Sequence, residues 1–192
     1  MADKLLGRDH FIASMGIASL AYPDLITNEP AALMFIGAVG LSSLVPDLDA
    51  DNSIISKHLG TWIAKHVAHR GFLHSIFGWA LWSILLTICL YWTDSWLITG
   101  LIVGYLLHIV EDSFSVSGIR WFASFSSYDE YVFNKYGTYF RPVHHWKELS
   151  DGEKEPCRHF WGRGYRVGGK GELIVTGILG IIAIWKLISM LL

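Results

Sequence analysis

Five apolar stretches divide this 192-residue chain, at roughly 11–26, 31–46, 72–92, 96–112 and 173–192. The third, Phe72 to Trp92, contains no Asp, Glu, Lys or Arg. A helix rises ~1.5 Å per residue, so about 20 residues cross the ~30 Å of bilayer hydrocarbon. The third and fifth stretches approach that length. The first, second and fourth are shorter and contain glycines, so each alone also fits a buried or re-entrant helix. The predicted fold class is therefore all-α: a multi-pass membrane helix bundle of about five apolar helices, forming one membrane-embedded domain over residues 1–192. The links TNEP (27–30) and TDS (93–95) read as helix-hairpin turns, and Pro30 suits the first turn of a helix.

Composition agrees with a membrane setting. The chain is 52% hydrophobic with nine tryptophans, its mean hydropathy is +0.38, and charged residues make up 17%, against roughly 25% in soluble domains. A net charge of −2 and a pI near 6.5 argue against a nucleic-acid binder, which would be basic; no direct nucleic-acid partner is expected. Cys89 lies in an apolar run and Cys157 in a polar loop, so neither a disulfide nor a redox motif is expected. The first apolar stretch follows MADKLLGRDH and lacks a clean small-residue cleavage site, so no cleavable signal peptide is expected.

Charge placement provides an independent check on five spans. The N-terminus, the 47–71 loop and the 113–172 loop then share one side. That side holds Lys4, Arg8, Lys57, Lys65, Arg70 and nine more basic residues between Arg120 and Lys170, leaving only Lys186, inside the last stretch. The opposite side carries only the acids Asp24, Glu29 and Asp94. The positive-inside rule makes the basic side cytoplasmic and puts the C-terminus outside.

Ionisable residues collect at the cytoplasmic end of every stretch. His10 opens the first. Asp47 and Asp49, in VPDLDADNS, follow the second just past Pro46, which marks the helix end. His69 and His74, in HRGFLHS, flank the start of the third. His108 and Asp112, in GYLLHIVEDS, close the fourth, and Glu172 opens the fifth. His, Asp and Glu clusters of this kind build zinc, manganese and related sites. The i, i+4 spacing of His108 and Asp112 puts both on one helical face. Asp47 and Asp49 alternate by two in chain expected to be extended, which would aim both carboxylates the same way. His69 and His74 suit a shared centre if one lies in the loop and the other in the first helical turn. Taken singly, His10 also fits a helix-capping residue, the PDLD acids a turn, and His108 with Asp112 a buried hydrogen-bonded pair. Together they weigh toward function, because ionisable groups in membrane segments are costly. His58, His66 and His159 read as solvated loop residues.

The 113–172 loop is rich in aromatic and basic residues, as expected of a cytoplasmic insertion lying at lipid headgroups. A small soluble cap packed on itself is the alternative. His144 and His145 offer a further ligand from this loop.

The ordered set as a whole is similar to a known family. An early His, then PDLD with Ser53 shortly after, then HRGxxHS, then GxxxHxxxD, then a GE pair opening a last apolar helix, resembles the YdjM-like family of bacterial inner-membrane proteins. That family is described as metal-dependent hydrolases and as LexA-binding membrane proteins. The motifs span residues 10 to 172. The resemblance implies metal binding at His10, Asp47, Asp49, His69, His74, His108 and Asp112, with Arg70 nearby. Leu73 departs from the threonine usual in HRGxTHS and removes a hydroxyl, and SFSVSGIRWFASFS after Asp112 departs in detail. No residue here indicates repressor or DNA binding. Ligand order alone is also similar to zinc-dependent phospholipase C and related nucleases, which implies His144 or His145, with Glu172, as further ligands.

The expected activity is metal-dependent hydrolysis at the cytoplasmic leaflet of the bacterial inner membrane, on a phosphoester of a lipid or lipid-linked substrate. The expected cofactor is a divalent ion, zinc first and manganese or magnesium as alternatives, at one to three per chain. Arg70 and Arg141 are the expected phosphate-binding groups, and Asp49 or Asp112 the general base. One alternative is a metal-ion or solute transporter, whose sites tend to lie near the bilayer midplane. The other is a non-catalytic regulator stabilised by metal. Oligomeric state is not legible in the sequence.

Overall fold

The computed structural model describes residues 6–26, 28–50, 53, 55–56, 71–114, 119–122, 146–148, 154–156 and 170–191. Its architecture is helical. The long helices are α1 (Leu6–Leu25), α2 (Glu29–Ser42), α3 (Ile76–Cys89), α4 (Ser95–Ser113) and α5 (Lys170–Leu191), each lying on one of the apolar stretches. Glu29–Asp49 and Ser95–Ser113 are long and apolar enough to cross a membrane, whereas Ile76–Cys89 and Leu173–Ser189 are shorter apolar helices. Within the long loop, β1 (Trp146–Glu148) and β2 (Lys154–Pro156) form a short antiparallel pair with Trp146 opposite Pro156.

Side-chain caps start three of the helices. The Asn28 side chain accepts from Ala31 N at 3.3 Å, with Pro30 in the first turn of α2. The Asp94 carboxylate accepts from Trp96 N at 2.7 Å, and Ser75 Oγ from Gly78 N at 3.3 Å. Each gives a partner to an N–H that the helix itself leaves unsatisfied.

The principal packed pairs are α2 with α4 and α1 with α5. Gly100 and Gly104 lie one turn apart on α4 and face α2. A Cβ added at Gly104 would run into the Val39 carbonyl, and one at Gly100 would stand 2.7 Å from the Phe35 carbonyl oxygen. Small residues here let the two backbones approach, the usual way for helices to associate in lipid. Ala32, Phe35, Ile36 and Val39 of α2 form the buried centre of that interface. Indole donors tie α3 to α4: Trp79 Nε1 donates to the Ile102 carbonyl (3.1 Å), and Trp82 Nε1 to the Leu101 carbonyl (3.3 Å) and Ser42 Oγ (3.1 Å).

Gly16 of α1 meets Leu179 of α5, and Leu187, two turns further along α5, packs against the cluster containing Ile26. The two helices therefore run parallel, and α5 begins at the end of the bundle where α1 begins. Large apolar side chains point outward from α3 (Leu81, Ile84, Leu85, Ile88) and α5 (Ile174, Ile178, Ile181, Trp185). Outward-facing apolar residues of this size suit hydrocarbon rather than water.

One local expectation is corrected. Pro46–Asp49 is a 3-10 turn rather than extended chain. Pro46 presets φ for a helical first turn, and with about three residues per turn Asp47 and Asp49 leave in different directions instead of the same one.

Candidate metal centre

Six polar side chains converge at the end of the bundle where α1 and α3 begin and α2 and α4 finish. His10 comes from the first turns of α1, Asp47 and Asp49 from the 3-10 turn after α2, and His74 from a second 3-10 turn, Phe72–His74, just ahead of α3. His108 and Asp112 come from the last turns of α4. All six are at most 2% exposed.

The turn carrying His74 is held from both sides. Tyr105 Oη donates to the Leu73 carbonyl at 2.6 Å, and Ser75 Oγ donates to the Phe72 carbonyl at 2.7 Å. The Ile76 amide donates to the Trp121 carbonyl at 2.9 Å, so the start of the long loop closes over the start of α3. Ser56 Oγ donates to the Ala50 carbonyl at 2.6 Å and steadies the chain leaving Asp49.

Each histidine is oriented through its Nδ1. His108 Nδ1 lies 2.6 Å from the Ser43 carbonyl, which only accepts, so Nδ1 carries the proton. His74 Nδ1 lies 3.1 Å from Asp49 Oδ2, and His10 Nδ1 lies 2.6 Å from Glu111 Oε2. With the outer nitrogens donating, all three rings turn Nε2 inward, the nitrogen through which each would bind a metal. Carbonyl and carboxylate partners of this kind are how proteins fix the tautomer of a metal-binding histidine.

What faces those nitrogens is negative charge. His74 Nε2 is 3.1 Å from His108 Nε2, 3.4 Å from Asp112 Oδ2 and 4.0 Å from Asp47 Oδ1. His108 Nε2 is 3.7 Å from Asp47 Oδ1 and 3.9 Å from Asp112 Oδ2. On the other side Asp112 Oδ1 is 3.4 Å from His10 Nε2, a buried nitrogen with no hydrogen-bond partner. Unprotonated nitrogens and carboxylates this close repel unless a proton or a metal cation lies among them. Ligand atoms about 2.0–2.2 Å from a tetrahedral zinc stand roughly 3.4 Å apart, which matches the spacing of this set. Two overlapping groups meet the requirement: Asp47, His74 and His108, and His10, His108 and Asp112. They share His108, and the two oxygens of Asp112 face different members. The residues present fit a divalent ion.

Of the residues expected from sequence, His10, Asp47, Asp49, His74, His108 and Asp112 are brought together. His69, Arg70, Arg141, His144 and His145 lie outside the described residues. Glu172 falls in the first turn of α5, at the same end of the bundle, and its side chain lies outside the description. Sequence reasoning missed Glu111, Ser14 and Ser43. The signal available for Glu111 was its i, i+3 spacing from His108, and for Ser14 its i, i+4 spacing from His10; nothing in the chain marks a backbone carbonyl such as that of Ser43.

A family model described as YdjM inner membrane protein matches residues 5–188. The chain belongs to this family. It is similar to the proteins named inner membrane protein YdjM of Escherichia coli (strain K12) and of Shigella flexneri. Each is 35% identical over 88 residues, a match covering 41% of this chain and 43% of the relative. The chain thus spans under half the length of the curated relatives it matches. No solved structure matches it. Membership of the YdjM family makes the bacterial inner membrane the setting of the bundle, in keeping with its outward apolar faces.

Proposed function

We propose that this YdjM-family chain is a multi-pass inner-membrane hydrolase that uses a divalent metal at the cytoplasmic leaflet and cleaves a phosphoester of a lipid or lipid-linked substrate. The observation that carries the reading is the facing pair of His74 and His108 Nε2 atoms, 3.1 Å apart between the Asp47 and Asp112 carboxylates. His74, His108, Asp47 and Asp112 would hold the ion, with His10 completing the set; zinc suits the mixed nitrogen and oxygen donors. Bound there, a divalent ion supplies Lewis acidity that brings the pKa of water down toward ~7.

The chain's own groups do the rest. Asp49 keeps the His74 ring in register, and the Ser43 carbonyl does the same for His108. Asp49 or Asp112, whichever is less committed to the ion, is proposed as the general base. Arg70 and Arg141 are proposed to bind phosphate oxygens, and His144 or His145, with Glu172, to add ligands. The basic, aromatic 113–172 loop would rest on the headgroups from which the substrate comes. Three imidazoles and two carboxylates exceed the four protein ligands of a closed structural zinc site, which supports chemistry over a purely structural ion. The position of the cluster at one end of the bundle argues against transport, whose sites sit near the midplane.

The test is hydrolysis by the protein reconstituted in lipid nanodiscs, with phospholipids and a polyprenyl phosphate ester as substrates and zinc or manganese supplied. The expected result is phosphate-ester cleavage that stops with chelator and with His108→Ala. Metal-loaded protein that leaves every such ester intact would overturn the hydrolase reading and favour a metal-stabilised regulator, consistent with the deep burial of the cluster.

A further inference from the structure

Glu111 has no place in the ligand set, yet its contact to His10 is as short as the one the Ser43 carbonyl makes to His108. Its Oε2 lies 2.6 Å from His10 Nδ1, and its Oε1 accepts from Ser14 Oγ at 3.0 Å. His10 and Ser14 are four residues apart on one face of α1, and Glu111 neighbours Asp112 on α4. One carboxylate therefore holds both the imidazole and the next turn of the helix that delivers it. That matters because α1 packs chiefly on α5 and α2 and only lightly on α4. His74 and His108 are held by Asp49 and Ser43, from the turn after α2 and the end of α2, the helix that packs most closely on α4, whereas His10 must be brought across from a separate helix pair.

We propose that Glu111 is the positioning residue of the metal centre: it fixes the His10 tautomer with Nε2 toward Asp112 and sets α1 in register against α4. The proposal rests on the metal-site reading above. Without Glu111, His10 keeps a buried Nδ1–H with no acceptor, and the ring gains both a second tautomer and freedom to turn. Glutamine would retain an acceptor oxygen for Nδ1–H, and Ser14 Oγ can accept as well as donate, so Glu111→Gln should preserve most of the function. Alanine should not.

The experiment is metal affinity by competition with a chromophoric chelator, on full-length protein in mild detergent, using zinc alone as probe. Thermal unfolding with chelator present is read in parallel. Glu111→Ala should lose about 10–100-fold in affinity, the usual effect of removing such a partner, while Glu111→Gln stays close to wild type. In a His10→Ala background, Glu111→Ala should cost nothing further, the signature of a residue acting through His10. A Glu111→Ala protein that binds zinc as wild type does, or a full additional loss in the His10→Ala background, would overturn the proposal and leave the metal site standing. Wild-type protein that binds no zinc would overturn both.

Discussion

His74 and His108 point their Nε2 atoms at each other across 3.1 Å, and each has already given its Nδ1–H to an outer acceptor, Asp49 Oδ2 for one and the Ser43 carbonyl for the other. Asp47 and Asp112 border the same gap, so the described residues form a buried corner suited to positive charge.

The first prediction concerns Asp112→Asn. The substitution removes one negative charge and introduces an amide donor toward the imidazoles. With chelator present the variant should unfold at or above the temperature of wild type. With zinc present, wild type should gain stability, about 2.7 kcal/mol when free metal is a hundredfold above Kd, and the variant should not. Thermal denaturation in detergent, with elemental mass spectrometry of the same samples, checks both halves. A variant that still gains zinc-dependent stability would show that Asp112 does not hold the ion.

Gly104 tests whether helix approach sets the site. Gly104→Val forces a side chain against the Val39 carbonyl, and overpacking of this kind costs about 1–3 kcal/mol. Because α4 carries His108 and Ser43 caps the end of α2, zinc affinity should fall with it. Gly37→Ala, at a position with open space around the added carbon, should leave both unchanged. Unfolding midpoints and chelator competition on the two variants give the comparison, and equal behaviour would refute the link.

Tyr105→Phe removes the 2.6 Å bond to the Leu73 carbonyl. The expected loss is about 1 kcal/mol of stability, the net value of a typical hydrogen bond, together with weaker zinc binding because the turn bearing His74 loosens. A stability loss with unchanged zinc affinity would mean that Ser75 and the rest of the turn suffice to hold His74.

Orientation can be read from the native cysteines. Cys89 is exposed at the end of α3 away from the cluster. If the cluster is cytoplasmic, an impermeant maleimide added to spheroplasts should label wild type and fail to label Cys89→Ser. Labelling that persists in Cys89→Ser and disappears in Cys157→Ser would invert the proposed topology.

The helices were legible because apolar length and breaker residues are local properties. The TNEP link with Pro30 and the TDS link sit where α2 and α4 begin, whereas α3 begins only after Ser75, so His74 lies in a 3-10 turn ahead of the helix instead of in its first turn. The pairing of His108 with Asp112 was legible for the same reason, since i, i+4 spacing needs only one helix. The directions of Asp47 and Asp49 were not. An alternating pair looks alike in an extended strand and in a 3-10 turn until the backbone is known, and only the turn sends one carboxylate to the inner nitrogens and the other to His74 Nδ1.

What the sequence determined by itself is the inventory: apolar stretches, and metal-ligating residue types gathered at one end of those stretches. What tertiary structure alone decided is each residue's role. Glu111 carried no role until α1 was laid against α4, bringing His10 and Ser14 to its two oxygens across about 100 positions of chain. Ser43 contributes a backbone oxygen, which every residue has and no sequence distinguishes. Orientation of an imidazole depends on what reaches its second nitrogen, and in this bundle each of those partners arrives from another segment of the chain.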